Sequence, residues 1–217
     1  MAGLDPGRLR ENAARVRAEI AAAARRAGRD PGDVELLVAV KYVATGDIGT
    51  LADAGLTLLG ENRAQELAEK VAAWPDRGLR WHFIGQLQSR KVKTILPLVE
   101  LIHSVASDSA LAQLEKHAMP DTEILVEVNV AGEEGKAGIA PAALGDFIAR
   151  APVRVAGLMG MPPFAEDPEA SRPHFAALRE LAAAHGLREL SMGTSQDFAV
   201  AVEEGATIVR VGSVLFE

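Results

Sequence analysis

Strand and helix signals alternate along this chain eight times, and that rhythm leaves few folds open. An Ala/Arg-rich helix over 6–28 leads, opened by Pro6 and closed at Gly28. Apolar runs at 36–41, 56–59, 81–84, 98–105, 122–130, 153–158, 189–191 and 207–211 then read as strands. Between them, helices are predicted over 47–54, 62–74, 86–96, 108–118, 141–150, 168–185 and 196–203. Asp108 is placed to cap one of them, and Pro75, Pro97, Gly186 and Gly205 stop others. Strict alternation argues for a parallel sheet, and eight units in about 180 residues predict a (β/α)8 TIM barrel of the α/β class with one extra N-terminal helix. The alternative is an open doubly wound sheet, but no G-x-G-x-x-G follows the first strand. No linker or composition break divides residues 1–217, so one domain is expected.

Composition removes several classes of function. The formal net charge of -7 disfavours a general nucleic-acid binder. The absence of cysteine excludes disulfides, thiolate chemistry and cysteine-ligated metals. No run approaches the roughly 20 apolar residues of a membrane span. Arg8, Arg10, Glu11, Arg15 and Glu19 interrupt any signal-peptide pattern, so a cytoplasmic protein is expected. His82 and His103 carry no metal-ligand spacing, and no metal is assigned. The basic cluster Ser89-Arg90-Lys91-Val92-Lys93 could meet an acidic partner or a nucleic acid, but in an acidic chain it reads first as a solvated face.

In a barrel, chemistry gathers at the C-terminal ends of the strands. The first strand, Leu36-Leu37-Val38-Ala39-Val40, ends in Lys41, where desolvation would favour a neutral, nucleophilic amine. The plainer reading is that Lys41 marks where the strand surfaces. The last two strand ends carry Ser191, Gly193, Thr194 and Ser195, then Gly212 and Ser213. Hydroxyls and open backbone of this kind hold phosphates after strands seven and eight of many barrels, though Thr194 or Ser195 would also serve as an ordinary helix cap. Alternation puts Arg210 on one face with Ile208 and Gly212. If that face is the interior, its guanidinium points toward a ligand, or else into a buried ion pair with Glu61 or Glu127. A lysine, a phosphate cradle and an inward arginine on one barrel suggest pyridoxal 5′-phosphate held as a Schiff base. A phosphosugar-type barrel enzyme acting on a carbonyl substrate and a binding module using the basic cluster are the other classes open.

The same residues carry a family resemblance over nearly the whole chain. Ala39-Val40-Lys41-Tyr42, Gly60-Glu61-Asn62-Arg63-Ala64-Gln65-Glu66, Trp81-His82-Phe83-Ile84-Gly85-Gln86-Leu87-Gln88 and His103-Ser104-Val105 come first. Val128-Asn129 with Lys136-Ala137-Gly138, Gly157-Leu158-Met159, Leu190-Ser191-Met192-Gly193-Thr194-Ser195-Gln196-Asp197 and Val209-Arg210-Val211-Gly212 follow in order. Together they resemble the pyridoxal phosphate homeostasis proteins, whose fold is similar to the barrel of alanine racemase (fold type III). The resemblance implies that Lys41 carries the Schiff base and that Ser191, Ser195, Gly212 and Ser213 surround the phosphate, with Gly193 in the same loop. It implies that Arg210 faces the pyridine nitrogen, and that Asn62, His82 and Met192 line the pocket. Val43 stands where a second lysine is common, Val40 where a hydroxyl residue is common, and Phe216-Glu217 where Phe-Gly is usual. These departures bear on a lysine relay more than on cofactor binding.

Turnover of an amino acid by racemisation needs a proton acceptor on each face of the substrate. Lys41 can serve one. Tyr42 is the chain's one tyrosine, and strand alternation would turn it away from Lys41. The expectation is a monomer or weak dimer that binds, protects and delivers the cofactor, handing it to apo-enzymes in vitamin B6 and amino-acid homeostasis. A slow amino-acid racemase is the alternative.

Overall fold

Asp5 and Pro6 start the first helix as their chemistry requires. The Asp5 carboxylate accepts from the N–H groups of Gly7 (2.8 Å) and Arg8 (3.0 Å), and Pro6 supplies a ready helical φ. The computed structural model describes residues 3–217. In it, helix α1 (Pro6–Arg26) precedes eight strands that close into a parallel barrel in sequence order. These are β1 (Glu35–Ala39), β2 (Leu58–Glu61), β3 (Arg80–Phe83), β4 (Leu101–Val105), β5 (Glu123–Glu127), β6 (Arg154–Met159), β7 (Glu189–Thr194) and β8 (Ile208–Val211). The helices between and after them are α2 (Ile48–Asp53), α3 (Ala64–Ala73), α4 (Val92–Ile95), α5 (Asp108–His117), α6 (Leu144–Ala149), α7 (Arg172–Ala184), α8 (Phe198–Glu203) and α9 (Ser213–Phe216).

Two apolar clusters show how alternation along each strand divides the core. Leu37, Leu58, Leu101, Leu125, Ala156, Met159 and Ile208 come from strands alone and fill the barrel's interior. Val38, Leu59, Phe83, Ile102, Val126, Leu190 and Val209 join helix residues such as Leu67, Leu114 and Leu178 in the outer layer. At the barrel's N-terminal rim Arg80 pairs with Glu35 (2.5 Å) and Glu100 (2.8 Å), and Arg154 pairs with Glu123. Helix α1 lies against α8 and α9, and Asn12 donates to the carbonyls of Leu215 and Glu217, so the first helix clasps the last turn. No helix among the described residues is long and apolar enough to cross a membrane.

Several elements differ from the sequence expectation: β2 and β7 run on to Glu61 and Thr194, β4 starts only at Leu101, and β5 ends at Glu127. The first strand stops at Ala39, not Lys41, because the Val40 carbonyl accepts from the Val43 N–H (3.0 Å) and turns the chain. The helix expected over 86–96 is only α4, preceded by a short 3-10 turn at Ser89–Lys91, and residues 85–88 remain a loop. The C-terminal α9 was not expected at all.

Candidate functional site

Barrel closure brings the distant strand ends together. β1 pairs with β8 in the register Val38↔Val211 and with β2 in the register Ala39↔Gly60. The end of β1, which leads into Lys41, therefore runs between the strand that leads into Gly212 and the strand that leads into Asn62. A methyl built on Gly212 would lie 3.5 Å from the Ala39 Cβ, which shows how near the two chain segments run.

The rim of β7 and β8 is a built cradle. The Ser195 hydroxyl oxygen accepts from the Gly212 N–H (3.0 Å), tying the two loops to each other. Asp197, a residue whose role the sequence does not announce, holds the first loop in shape. Its carboxylate accepts from the Thr194 N–H (2.8 Å), the Thr194 hydroxyl (3.1 Å) and the Ser171 hydroxyl (2.8 Å). Gly193 has φ +90° and packs so tightly on α8 that a Cβ would fall 2.5 Å from that of Ala201, so only glycine serves there. Ser213 is exposed at the rim, and the backbone N–H groups of Ser195 and Ser213 have no partner among the described residues. Unpartnered N–H groups and hydroxyls on one rim are a donor set suited to an oxyanion.

Inside the barrel a hydrogen-bonded chain runs below this rim. Arg210 donates to the Ser191 hydroxyl oxygen (2.7 Å) and to the Gly160 carbonyl (3.1 Å). Ser191 Oγ lies 2.8 Å from His103 Nδ1, and His103 Nε2 lies 3.0 Å from His82 Nδ1. His82 Nε2 is 3.9 Å from a carboxylate oxygen of Glu100 at the N-terminal rim. Because Arg210 can only donate, the tautomers that leave no donor idle run one way: Ser191 O–H to His103 Nδ1, then His103 Nε2–H to His82 Nδ1. That assignment also turns the His82 Nε2–H toward Glu100.

Burial sets the charge of each member. Desolvation lowers the His82 pKa to about 4, helped by nearby Arg80, and pushes His103 well below the usual imidazole value, helped by His82 and Arg210. Both rings are neutral at pH 7. Burial lowers the Arg210 pKa to about 10, opposed by the charges of Asp197 and Glu127, so it remains a cation. Burial also raises the Glu127 carboxyl, opposed by Arg210. Arg210 is thus neither the Glu61 nor the Glu127 ion-pair partner that the sequence left open; among the described residues its side chain bonds a hydroxyl and a carbonyl.

Several expected site residues sit differently from the sequence reading. Lys41 is exposed, with its Nζ 4.8 Å from the centre of the Tyr42 ring, because both residues lie in the turn after β1. Burial therefore does not desolvate its ammonium, and strand alternation does not send Tyr42 away from it. Ser191 is fully buried and its hydroxyl is engaged by Arg210 and His103, which draws it to the interior chain and away from the phosphate cradle. Met192, one residue on, faces the outer layer with the helices, so its side chain does not line the interior. His82 is buried mid-barrel beneath the rim. Asn62 does reach the rim. Its Oδ1 is buried with no hydrogen-bond partner among the described residues; the residue also borders a cavity of about 450 Å³, lined by Arg63, Gln86, Gln88 and Lys91, that Lys41, Ser195, Gly212 and Ser213 do not line. A buried acceptor without a donor is costly.

No protein-family model matches the chain. It is 43% identical to the pyridoxal phosphate homeostasis protein of Aquifex aeolicus, over 95% of this chain and 96% of that protein. PipY of Synechococcus elongatus, solved with pyridoxal phosphate bound, superposes with a TM-score of 0.81 at 31% identity, over 96% of this chain and 100% of that one. Alanine racemase of Corynebacterium glutamicum shares the barrel, with a TM-score of 0.71 at 14% identity over 98% of this chain and 61% of that one.

Proposed function

The chain belongs to the pyridoxal phosphate homeostasis protein family, and on that premise we propose that it binds pyridoxal 5′-phosphate as a Schiff base on Lys41 and carries it for vitamin B6 and amino-acid homeostasis. The observation that supports this reading is the closure of the barrel, which brings the strand that leads into Lys41 alongside the strand that leads into Gly212, whose N–H donates to Ser195. Backbone N–H groups and hydroxyls of Gly193, Ser195, Gly212 and Ser213 would hold the phosphate. Asn62 would meet the ring's polar edge, with its unpartnered Oδ1 taking a donor. Arg210, stiffened by Ser191 and Gly160, would meet the pyridine nitrogen. His82 and His103 would act from behind, by fixing the direction of the chain that ends on Arg210. The cofactor itself supplies an aldehyde for the amine and an electron-accepting ring. Residues 1–217 would work as one cofactor-binding unit, a cytoplasmic monomer that serves apo-enzymes as recipients.

The test is an absorption spectrum. Protein mixed with pyridoxal phosphate and then freed of unbound cofactor should stay yellow with an imine absorption band, and Lys41→Ala should remove that band. A protein left colourless once unbound cofactor is removed contradicts the reading.

Arginine keeps its protons, so it would leave the pyridine nitrogen unprotonated and the ring a weak electron sink. Arg210→Glu reverses the charge at a buried site. It should weaken cofactor affinity by roughly tenfold to a hundredfold, the range for a hydrogen bond to a charged group, and shift the imine absorption. Unchanged spectrum and affinity would place the arginine elsewhere.

One observation favours a second reading, a slow amino-acid racemase. The exposed Tyr42 ring lies against Lys41 and so could bring a phenol to the same mouth. Exchange of the alpha proton of alanine or serine in heavy water decides: enzyme-like exchange abolished by Lys41→Ala supports the racemase, and cofactor transfer to an apo-enzyme without exchange supports the carrier.

A further inference from the structure

Helix α3 turns Ala64, Leu67 and Lys70 inward, and Lys70 is a lysine at a core position, 2% exposed. A cation so placed needs partners, and it has them. Its Nζ donates to Glu61 Oε2 (2.5 Å) and to the carbonyl oxygen of Val40 (2.8 Å), with Glu66 at 3.6 Å. Glu61 is fully buried, and its other oxygen accepts from the N–H groups of Asn62 (2.7 Å) and Arg63 (3.2 Å). Val40 and Glu61 are the residues immediately before Lys41 and Asn62. The Val40 carbonyl also closes the turn onto Val43 that carries Lys41 and Tyr42. One ammonium therefore grips the first peptide of that turn and ties it to the end of β2.

We propose that Lys70 is a positioning residue for Lys41. It fixes the plane of the Val40–Lys41 peptide, and so the direction in which the exposed Lys41 side chain leaves the barrel toward the cofactor. Glu61 is its counter-charge. The inference rests on the reading of Lys41 as the cofactor's attachment point. It explains how an amine on an exposed turn, lying against the Tyr42 ring of the same turn, is presented in one direction.

Removing Lys70 alone would strand a buried carboxylate, so the test uses Glu61→Gln/Lys70→Met, which neutralises both partners at similar volume. Two ligands are compared: pyridoxal 5′-phosphate, which can form the imine, and pyridoxine 5′-phosphate, which has no aldehyde and reports on the cradle alone. The double variant should melt close to the wild type and bind pyridoxine phosphate as the wild type does. Its imine formation with pyridoxal phosphate should slow, and its affinity for that ligand fall, by about tenfold or more, as expected for a misdirected nucleophile. If it does not fold, Glu61→Gln/Lys70→Gln, which keeps both positions polar, is read in the same assay. Imine formation at the wild-type rate in whichever variant folds overturns the proposal. Equal weakening of both ligands also overturns it, since the pair would then support the whole rim. A wild-type protein that forms no imine on Lys41 fails the cofactor reading first, before any variant is compared, and the positioning role with it.

Discussion

Gly85→Ala should unfold the protein or cost it about 3 kcal/mol or more, the upper end for overpacking a rigid core. Gly85 follows β3 in the loop that lies against the end of β2. A Cβ there would sit 2.0 Å from the Asn62 carbonyl oxygen and 2.6 Å from its carbonyl carbon. Backbone cannot rotate aside as a side chain would. The loop is also pinned from both directions: the Ile84 N–H donates to the Glu61 backbone carbonyl (2.9 Å), and the Ser104 hydroxyl donates to the Gly85 carbonyl. Relief would have to move Asn62, and with it the N–H that holds the buried Glu61 carboxylate. Gly46→Ala is the control, since nothing lies within 4 Å of its Cβ position and its φ is not positive; it should stay within about 0.5 kcal/mol of the wild type. Urea unfolding of the two variants checks this. Equal stabilities would mean the two loops do not approach so closely.

Acid should destabilise the fold over a defined window, through the two buried histidines. Folding depresses the His82 pKa from 6.5 to about 4 and lowers His103 as well. Between those values the unfolded chain binds protons that the folded chain refuses, so stability falls as pH falls from about 6.5 toward 4. For His82 alone the loss is about 2 kcal/mol by pH 5 and about 3 kcal/mol below pH 4, at roughly 1.4 kcal/mol per unit. His103 adds in the same direction. Glu127 opposes them, because burial raises its pKa and its contribution is lost as pH rises. Unfolding free energies at pH 7 and pH 5 should therefore differ by about 2 kcal/mol or more in the wild type, and by clearly less in His82→Gln. A wild type with the same stability at both pH values would mean that the histidines are not held neutral.

The barrel was legible because its signal is local and repeated. Each strand needs only a short aliphatic run, and each helix a face and a stop, so errors of a few residues do not disturb the order of elements. Where the reading failed, a single hydrogen bond decided the matter. The apolar pattern of the first strand continues through Val40, which is buried, but the bond from Val43 to its carbonyl ends the strand and puts Lys41 outside. That one turn changes Lys41 from a desolvated amine to an exposed one.

The candidate site was legible as a set of strand ends and not as a geometry. Alternation separates Ser191 from Met192, so one enters the interior and the other the outer layer; the shared motif hides this. The bond from Gly212 to Ser195 and the chain from Arg210 through Ser191 and His103 to His82 join elements far apart in sequence, which no local pattern records. Lys70 did leave a trace. It falls on the apolar stripe of α3 with Ala64 and Leu67, and a lysine on such a stripe asks for a buried partner.

Borohydride reduction of the protein mixed with pyridoxal phosphate, followed by peptide mapping, tests the central claim most directly. Reduction freezes the imine onto whichever amine formed it. The account predicts one adduct, on the peptide carrying Lys41, and none in Lys41→Ala. An adduct on Lys70, Lys91 or Lys136, or no adduct in the wild type, would contradict it.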